Sequence, residues 1–407
     1  MRPAANGSPP PDVSWFMLAS TPVASADHRF PSTTAAPGRD QYIDRLRSVM
    51  TALVILHHVA ITYGAPGGWF YYELKPSGSA SSILLTFFVA TNQAYFMGFF
   101  FLLAGYFTPS SLERKGYGRF IGDRFLRLGL PLLAFILLIG PLTVAVAAAG
   151  QGKSFWGTLA WLWSHGTIIN GPMWFVQALL IFTLGYCGWR AIGGALLSQG
   201  ERKASPIPAQ RWWLASALLV AAAAWLIRLA VPVGVNVMGL QLGYFAAYIF
   251  LFSLGIAAWR HDWLSQLQWK HARWWVLGLA LSWPVMPAAI VAAFALKSRA
   301  SFGGGSAWPA VIYAFWEPFV AWGLIAAWLL VFRAKMNGPS SFWSWVNRRA
   351  YAVYIIHPVV LVGVALLLHR WVAPALVKFA AAGALSCVGT WLVADPLVRM
   401  PGLRRIV

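Results

Sequence analysis

Charged residues and cysteines are scarce in this sequence, and both shortages exclude classes of protein. Only 10% of the 407 residues are charged, whereas 59% are hydrophobic, a balance that soluble globular chains do not approach. The two cysteines, Cys187 and Cys387, fall inside apolar runs and follow no disulfide or metal-ligand spacing. No phosphate-binding loop, dinucleotide fingerprint, zinc motif or Gly-x-Ser-x-Gly elbow occurs in a suitable context. No metal site is therefore predicted.

Long apolar runs make up most of the chain. Each is long enough, at about 1.5 Å per residue, to cross a bilayer as a helix. They occupy approximately residues 46–64, 82–107, 125–149, 172–195, 212–231, 241–259, 274–296, 309–332, 350–368 and 372–394. The sequence thus predicts an all-α, polytopic membrane protein of about ten transmembrane helices, with the lipid bilayer as its surroundings.

Basic residues are distributed unevenly between the two sides of these runs. A net charge of +20 would ordinarily suggest nucleic-acid binding, but all except seven of the 31 Lys and Arg lie at the termini or in one set of alternate loops. The seven are Lys75, Lys153, Arg228, Lys297, Arg299, Arg370 and Lys378. By the positive-inside rule, both termini are predicted to be cytoplasmic, in the cell inner membrane. The positive charge therefore indicates topology, and no nucleic-acid partner is predicted.

The ends of the chain differ from its apolar middle. Residues 1–40 are rich in Pro, Ala, Ser and Thr and are predicted to form a disordered cytoplasmic tail. A ten-helix domain over residues 41–396 and a short basic cytoplasmic tail over 397–407 follow. A signal peptide near residues 13–26 is the alternative, but its cleavage would move Arg39, Arg45 and Arg47 to the outer side. Residues 154–169 are too short for a span and are predicted to form an outer-surface or re-entrant segment.

The first predicted helix carries a charged cluster and two histidines. Arg47 and His58 are eleven residues apart, close to three helical turns, so they share one face along about 16 Å of helix. His57 points about 100° away, and His58 is therefore favoured as the functional histidine. An ionisable group inside a membrane span is costly and is usually functional. A histidine that only packs against a neighbouring helix is the alternative.

A second basic pair opens the third span. Arg124 and Arg127 lie three residues apart on one face at the mouth of the helix. Two guanidinium groups in this geometry suit a phosphate-bearing ligand that arrives from the cytoplasm. Contact with lipid headgroups is the simpler alternative.

Two later spans also carry polar residues. Glu317 lies in the outer half of the eighth span, directly before a proline, where it has either a function or a structural hydrogen-bond partner. In the ninth span, Tyr351, Tyr354 and His357 are spaced by three along one face, and Pro358 is predicted to kink the helix. In the second span, Gly98, Ala104 and Gly105 are small enough for close approach of another helix or a ligand.

Five stretches, in this order along residues 40–395, resemble the acyltransferase-3 family of integral membrane acyltransferases, and look most like its branch that modifies glycans. The stretches are Asp44-Arg-Leu-Arg47 with His58, Phe99-Phe-Phe-Leu-Leu-Ala-Gly105-Tyr-Phe, Arg124-Phe-Leu-Arg127-Leu-Gly-Leu-Pro131, Met173-Trp174-Phe-Val, and Tyr351-Ala-Val-Tyr354-Ile-Ile-His357-Pro358. Each alone is a weak signal, and their order makes the resemblance fairly specific.

The resemblance implies a membrane enzyme that moves an acyl group from cytoplasmic acyl-CoA to a hydroxyl of a sugar or related acceptor at the outer face. Acyl-CoA is then a co-substrate, with no permanently bound cofactor. Arg47 and His58 match the essential first-span pair of the family, and Arg124 with Arg127 match its donor-binding arginines. The ninth-span motif is matched by Tyr354 and His357, with Trp174 in a supporting or acceptor-binding place. Ala104 departs from the pattern, since members more often have Ser there.

The chemistry of the residues agrees with this implication. Acyl transfer to an alcohol needs a base, and we expect His58 to act as that base or as a transient acyl carrier. Arg47 is expected to hold the phosphate or pantetheine arm of the donor, or to pair with Asp44. Glu73 and Glu317 could orient His58 or bind acceptor hydroxyls. The acyl group is expected to be acetyl or succinyl.

Two other functions stay open at this point. A proton- or metabolite-coupled transporter could use His58, Glu317 and His357 as a relay. A scaffolding membrane protein would need none of these side chains for chemistry, and changing His58 would then alter only stability.

Overall fold

A computed structural model of the protein describes residues 41–193, 203–298 and 300–403. The predicted tail over residues 1–40, Arg299 and residues 404–407 of the predicted C-terminal tail lie outside the described residues. The described part is helical and contains no β-strand, although two isolated bridges join short pieces of extended backbone. The prediction of an all-α protein is therefore confirmed.

Twelve helices follow one another in the described part of the chain. They are α1 (Gln41–Thr62), α2 (Ala80–Lys115), α3 (Tyr117–Gly150), α4 (Phe155–Ser164), α5 (Gly171–Gly193), α6 (Gln210–Ala230), α7 (Leu242–Arg260), α8 (Trp263–Gln266), α9 (Trp269–Ala295), α10 (Trp308–Lys335), α11 (Ser341–Leu368) and α12 (Ala375–Arg399). Residues 154–169, predicted to be too short for a span, contain the ten-residue α4.

Nine of these helices, counted over the described residues, are long and apolar enough to cross a membrane. The prediction of a polytopic membrane protein is thus confirmed. Helix α1 is 22 residues long but less apolar, because arginines and histidines interrupt its run. It packs against α2, α10, α11 and α12, and most of its side chains are buried. Other helices therefore enclose α1 on several sides, and its role as a tenth membrane span stays a prediction.

Helices α2 and α7 cross in close contact. A Cβ atom added to Gly105 would lie 2.1 Å from the carbonyl oxygen of Phe252, and one added to Gly255 would lie 2.1 Å from that of Leu102. Such contacts are impossible for any larger side chain, so the two glycines set the distance between the helices. The prediction that Gly105 permits close approach of another helix is confirmed.

Two prolines leave backbone carbonyls open to side-chain donors. Pro131 in α3 has no N–H for the carbonyl of Arg127, four residues earlier. That carbonyl accepts a hydrogen bond of 2.6 Å from the Tyr351 hydroxyl of α11. Pro358 in α11 likewise has no N–H for the carbonyl of Tyr354. These open carbonyls tie side chains of α11 into fixed positions near the predicted site.

Candidate functional site

The centre of the candidate site is a contact between two histidines from helices far apart in the sequence. Nδ1 of His58 in α1 lies 3.3 Å from Nε2 of His357 in α11. The two rings are nearly parallel, with centroids 5.3 Å apart. His357 is fully buried, whereas His58 is only partly buried. The structure therefore brings together two of the residues predicted from separate sequence motifs.

The proline after His357 determines which nitrogen of the His357 ring carries the hydrogen. Nδ1 of His357 lies 2.7 Å from the carbonyl oxygen of Tyr354, the carbonyl that Pro358 leaves without a helical donor. A carbonyl oxygen only accepts, so Nδ1 of His357 must carry a hydrogen. In the neutral ring, Nε2 is then an acceptor, and Nδ1 of His58 donates to it. The Nε2 lone pair of His58 is left as the position that can take a proton.

An aromatic side chain from the loop after α1 covers this pair. The Trp69 ring stacks on His58 with centroids 3.9 Å apart and an angle of 14° between the planes. Its Nε1 is buried and has no hydrogen-bond partner among the described residues. The loop reaches this position through Gly67, whose φ of 154° favours glycine and where an added Cβ would lie 2.5 Å from the Ile61 side chain.

Sequence reasoning did not single out Trp69. The aromatic residues of this loop suggested only an interfacial position. The glycine pair Gly67 and Gly68 directly before the tryptophan was the available signal, because it permits a sharp return of the backbone onto α1.

The neighbouring histidine faces another helix. His57 stacks on Phe96 of α2 with ring centroids 5.0 Å apart, and its Nδ1 has no hydrogen-bond partner among the described residues. The His57 and His58 rings meet edge to face at 5.5 Å. The two histidines thus point to different neighbours, as the angle of about 100° between consecutive helical positions requires.

Three arginines gather at one end of the bundle, which we call the arginine end: Arg47, Arg124 and Arg127. Arg124 interacts electrostatically with both of the other two. Nη1 of Arg47 lies 3.6 Å from Oδ1 of Asp44, and the Arg47 guanidinium lies over the Phe107 ring. The Arg124 guanidinium lies over the Phe120 ring. Nε of Arg124 is buried without a hydrogen-bond partner among the described residues. The structure therefore joins the predicted first-span and third-span arginines in one basic cluster.

Trp174 and Tyr354 belong to an aromatic group beside the histidine pair. Tyr354 donates its hydroxyl hydrogen to the carbonyl of Pro172, which fixes the start of α5 against α11. The Tyr354 ring also meets His357 at 5.8 Å between centroids. Trp174 stacks on Tyr248 of α7 with centroids 5.5 Å apart. Trp174 therefore supports the wall of the site and makes no described ring contact with the two histidines.

Glu73 has a partner other than the one predicted. It forms a buried ion pair with Lys378 of α12. Lys378 is one of the seven basic residues outside the predicted cytoplasmic set, and it lies inside a helix with its side chain 7% exposed. Next to this pair, the Tyr71 hydroxyl lies 3.0 Å from Nδ1 of His369. Burial, with Glu73 close by, raises the pKa of Tyr71, so this hydroxyl keeps its proton.

Glu317 is likewise paired away from His58. Its Oε2 lies 2.7 Å from Nη2 of Arg228 in α6, and both side chains are buried. Arg228 is another of the seven basic residues outside the predicted cytoplasmic set, and it lies inside α6. In the described part of the chain, no hydrogen bond or ion pair joins Glu73 or Glu317 to His58. His357 is the side chain that orients His58, and the acceptor-binding role of the two carboxylates stays a prediction.

Comparison with known proteins gives a family for this arrangement. The acyltransferase-3 family model, described as an acyltransferase domain, matches residues 40–395. Curated relatives include the protein named glucans biosynthesis protein C of Salmonella schwarzengrund (strain CVM19633), with 27% identity over 156 residues. The protein of the same name from Salmonella heidelberg (strain SL476) is 28% identical over 156 residues.

In both comparisons the similar stretch covers 37% of this chain and 39% of the relative, so well under half of each relative's length is matched. No solved structure matches the chain.

Proposed function

The chain belongs to the acyltransferase-3 family, and from that membership we propose that it transfers an acyl group from cytoplasmic acyl-CoA to a hydroxyl of a glycan at the outer face of the inner membrane. The observation that carries the proposal is the His58–His357 contact, which leaves Nε2 of His58 as a base inside the bundle. An enzyme that acylates alcohols needs such a base.

The arginine end supports acyl-CoA as the donor. Arg47, Arg124 and Arg127 form a basic cluster, in which Asp44 adjoins Arg47 and Asp123 is paired with Lys115. The excess of positive charge suits the phosphates of CoA. Arg47 and His58 are separated by about 16 Å of helix. A donor held by its phosphates at this end therefore needs a long arm to place its thioester beside His58. The pantetheine arm of CoA has that form.

The reaction at His58 is a proton transfer coupled to acyl transfer. Nε2 of His58 takes the hydroxyl proton of the acceptor while the oxygen attacks the thioester carbonyl carbon. The carbonyl becomes an oxyanion and then reforms as the carbon–sulfur bond breaks. The leaving thiolate takes the proton back from His58, so the products are an ester and the CoA thiol. A route through an acyl-histidine uses the same Nε2 as the nucleophile.

Two neighbours assist His58 in this scheme. His357 accepts the Nδ1 hydrogen of His58 and so favours the imidazolium that forms when the proton is transferred. Trp69 offers a buried N–H without a partner in the described part of the chain, next to the ring that performs the chemistry. We assign this N–H to the developing oxyanion, because a prepared donor in a dry site favours the transition state.

The acceptor assignment rests on the relatives. Two of them are named glucans biosynthesis protein C, and for this chain we propose a glucan or a related glycan as the acceptor. Acetyl and succinyl are the acyl groups we propose, with both termini of the chain in the cytoplasm.

The test uses membranes that contain wild-type protein, His58→Ala or His57→Ala, matched for expression and melting temperature. Each receives labelled acetyl-CoA or succinyl-CoA together with a glycan extract of the host. Label should move to the extract with the wild type and with His57→Ala, but not with His58→Ala. If wild-type membranes leave both donors unused with every extract, the proposed function is wrong.

A further inference from the structure

A second polar site lies apart from the histidine pair, where α6, α7 and α10 meet α2. Its centre is Arg228, whose side chain is 1% exposed. The guanidinium pairs through Nη2 with Oε2 of Glu317 at 2.7 Å and donates from Nε to the carbonyl of Gly243 at 2.9 Å. The rings of Tyr244 and Tyr313 lie 5.0 and 5.1 Å from its central carbon. Arg228 is thus held in place from four directions.

Two atoms of this buried pair are left unmatched. Nη1 of Arg228 and Oε1 of Glu317 have no hydrogen-bond partner among the described residues. Buried charged groups nearly always satisfy such atoms, since an unmatched donor or acceptor is costly. A cavity of about 20 Å³ adjoins both residues, and Gln93 and Tyr248 also line it. This volume accommodates one water-sized group.

A hydroxyl group fits these two atoms better than an ion does. The oxygen of a hydroxyl can accept from Nη1 of Arg228 while its hydrogen is donated to Oε1 of Glu317. The pair has no net charge, so an anion would be repelled by the carboxylate and a cation by the guanidinium. The polar atoms of the cavity therefore select a small uncharged group that is both donor and acceptor.

The cavity and the histidine pair are neighbours through α2. Gln93 lines the cavity, and Phe96, one turn later in the same helix, stacks on His57 beside His58. Gln93 also donates to the Tyr248 hydroxyl at 2.9 Å, and Tyr248 stacks on Trp174. The cavity and the histidine pair therefore lie beside successive turns of α2.

We propose that the Arg228–Glu317 pair binds one hydroxyl of an uncharged polyhydroxy acceptor, and so orients a different hydroxyl of the same molecule toward His58. This inference rests on the proposed acyltransferase function. It adds that the acceptor is uncharged at this position and that Arg228 and Glu317 determine acceptor specificity.

The experiment fills the cavity and leaves the ion pair in place. Ala224 lines the cavity from α6, and Ala224→Val adds two methyl groups to that wall. Ala217→Val is the matched control, because Ala217 is a buried alanine of the same helix that does not line the cavity. Ala247→Val narrows the same cavity from α7 and serves as a second variant if Ala224→Val does not fold. Transfer from labelled acetyl-CoA and succinyl-CoA is measured with a linear glucose tetrasaccharide as the acceptor probe.

We expect Ala224→Val to change the KM of one substrate and not that of the other. Ala224→Val should raise the KM for the tetrasaccharide about tenfold or more, as loss of a hydrogen bond to charged groups implies. The KM for the acyl-CoA should stay within about twofold, and Ala217→Val should behave as the wild type in both. Deoxy forms of the acceptor add a second measurement. The form that lacks the bound hydroxyl should be used poorly by the wild type and no worse by Ala224→Val, because both changes remove the same interaction.

Two failures can be told apart. If the wild type transfers no acyl group, the proposed function fails before the cavity is tested. If the wild type is active and both filling variants keep its acceptor KM, the cavity holds a structural water only, and the inference is wrong.

Discussion

Nε2 of His357 lies 3.3 Å from Nδ1 of His58, although the two residues are 299 positions apart in the chain. The contact gives the His58 imidazole an orienting partner and leaves Nε2 of the same ring as the base of the proposed reaction. In many hydrolases a carboxylate has the orienting role. Here the orienting group is a neutral histidine, itself held by a backbone carbonyl. No charged residue needs to be buried next to the reacting atoms.

Replacing His357 should impair the orientation of His58 without weakening the binding of acyl-CoA. His357→Ala removes the acceptor for Nδ1 of His58, so we expect kcat to fall about 10- to 100-fold while the KM for acyl-CoA stays within about twofold. His357→Gln offers an amide oxygen as an acceptor and should recover part of kcat. Steady-state kinetics in detergent-solubilised protein provides the measurement. Equal loss with Gln and Ala would contradict the assigned role of His357 as the hydrogen-bond acceptor for Nδ1 of His58.

Replacing Pro358 should make the protein more stable and less active. Pro358→Ala restores the N–H that pairs with the Tyr354 carbonyl, so that carbonyl no longer depends on His357. We expect a higher melting temperature, because proline inside a helix is unfavourable relative to alanine by about 3 kcal/mol. The value of kcat should fall about 2- to 10-fold, as a weakened hydrogen bond implies.

Pro396→Ala is the control for that change, because Pro396 lies inside α12 and makes no contact with the histidine pair among the described interactions. It should raise the melting temperature without lowering kcat. A Pro358→Ala protein that keeps full activity would contradict the assigned role of the open carbonyl.

Trp69 allows the hydrogen-bond donor to be separated from the stacked ring. Trp69→Phe keeps an aromatic ring on His58 but removes Nε1, so we expect kcat to fall by about 100-fold or more, as for other lost oxyanion donors. The KM for acyl-CoA should change little. Trp156→Phe is a suitable control, because Trp156 is 75% exposed on α4. Unchanged kcat in Trp69→Phe would assign to Trp69 a packing role alone.

Helical periodicity was sufficient to predict most of the architecture and the single-helix relationships. The apolar runs correspond to the long helices, and the spacing of Arg47 and His58 placed both on one face. Likewise, the small residues around Gly105 predicted a close helix contact, which α7 makes. These properties depend only on residues within one helix, so the spacing of residues in the sequence is enough to predict them.

Contacts between helices could not be derived in the same way. No period within α1 or α11 shows that His58 meets His357, because that contact depends on how the whole bundle packs. The ion-pair partners of Glu73 and Glu317 could not be predicted from the sequence for a related reason. Lys378 and Arg228 lie near the predicted ends of their spans, where a basic residue is typical of a loop. Only the packed structure distinguishes a topology charge from the partner of a buried carboxylate.

The arginine end gives a prediction about which part of the donor is bound. Arg124→Ala and Arg127→Ala should each raise the KM for acetyl-CoA about tenfold, because each removes a charged hydrogen-bond donor to phosphate. S-acetyl-pantetheine lacks the nucleotide phosphates, so the same variants should use it as well as the wild type does. Arg348→Ala, an exposed arginine of α11, is the control. An equal loss with both donors would mean that the arginines act on structure or on the thioester.

The buried pair of Glu73 and Lys378 gives a prediction about stability. Both side chains are less than a tenth exposed, so removing one leaves an uncompensated charge in a dry place. Lys378→Met should therefore lower the free energy of unfolding by about 3–5 kcal/mol. The double variant Glu73→Gln with Lys378→Met leaves no such charge and should recover most of that loss. Thermal denaturation in one detergent compares the wild type, Lys378→Met and the double variant. A double variant as unstable as Lys378→Met would show that lost packing of the lysine stem, rather than the unpaired carboxylate, causes the loss.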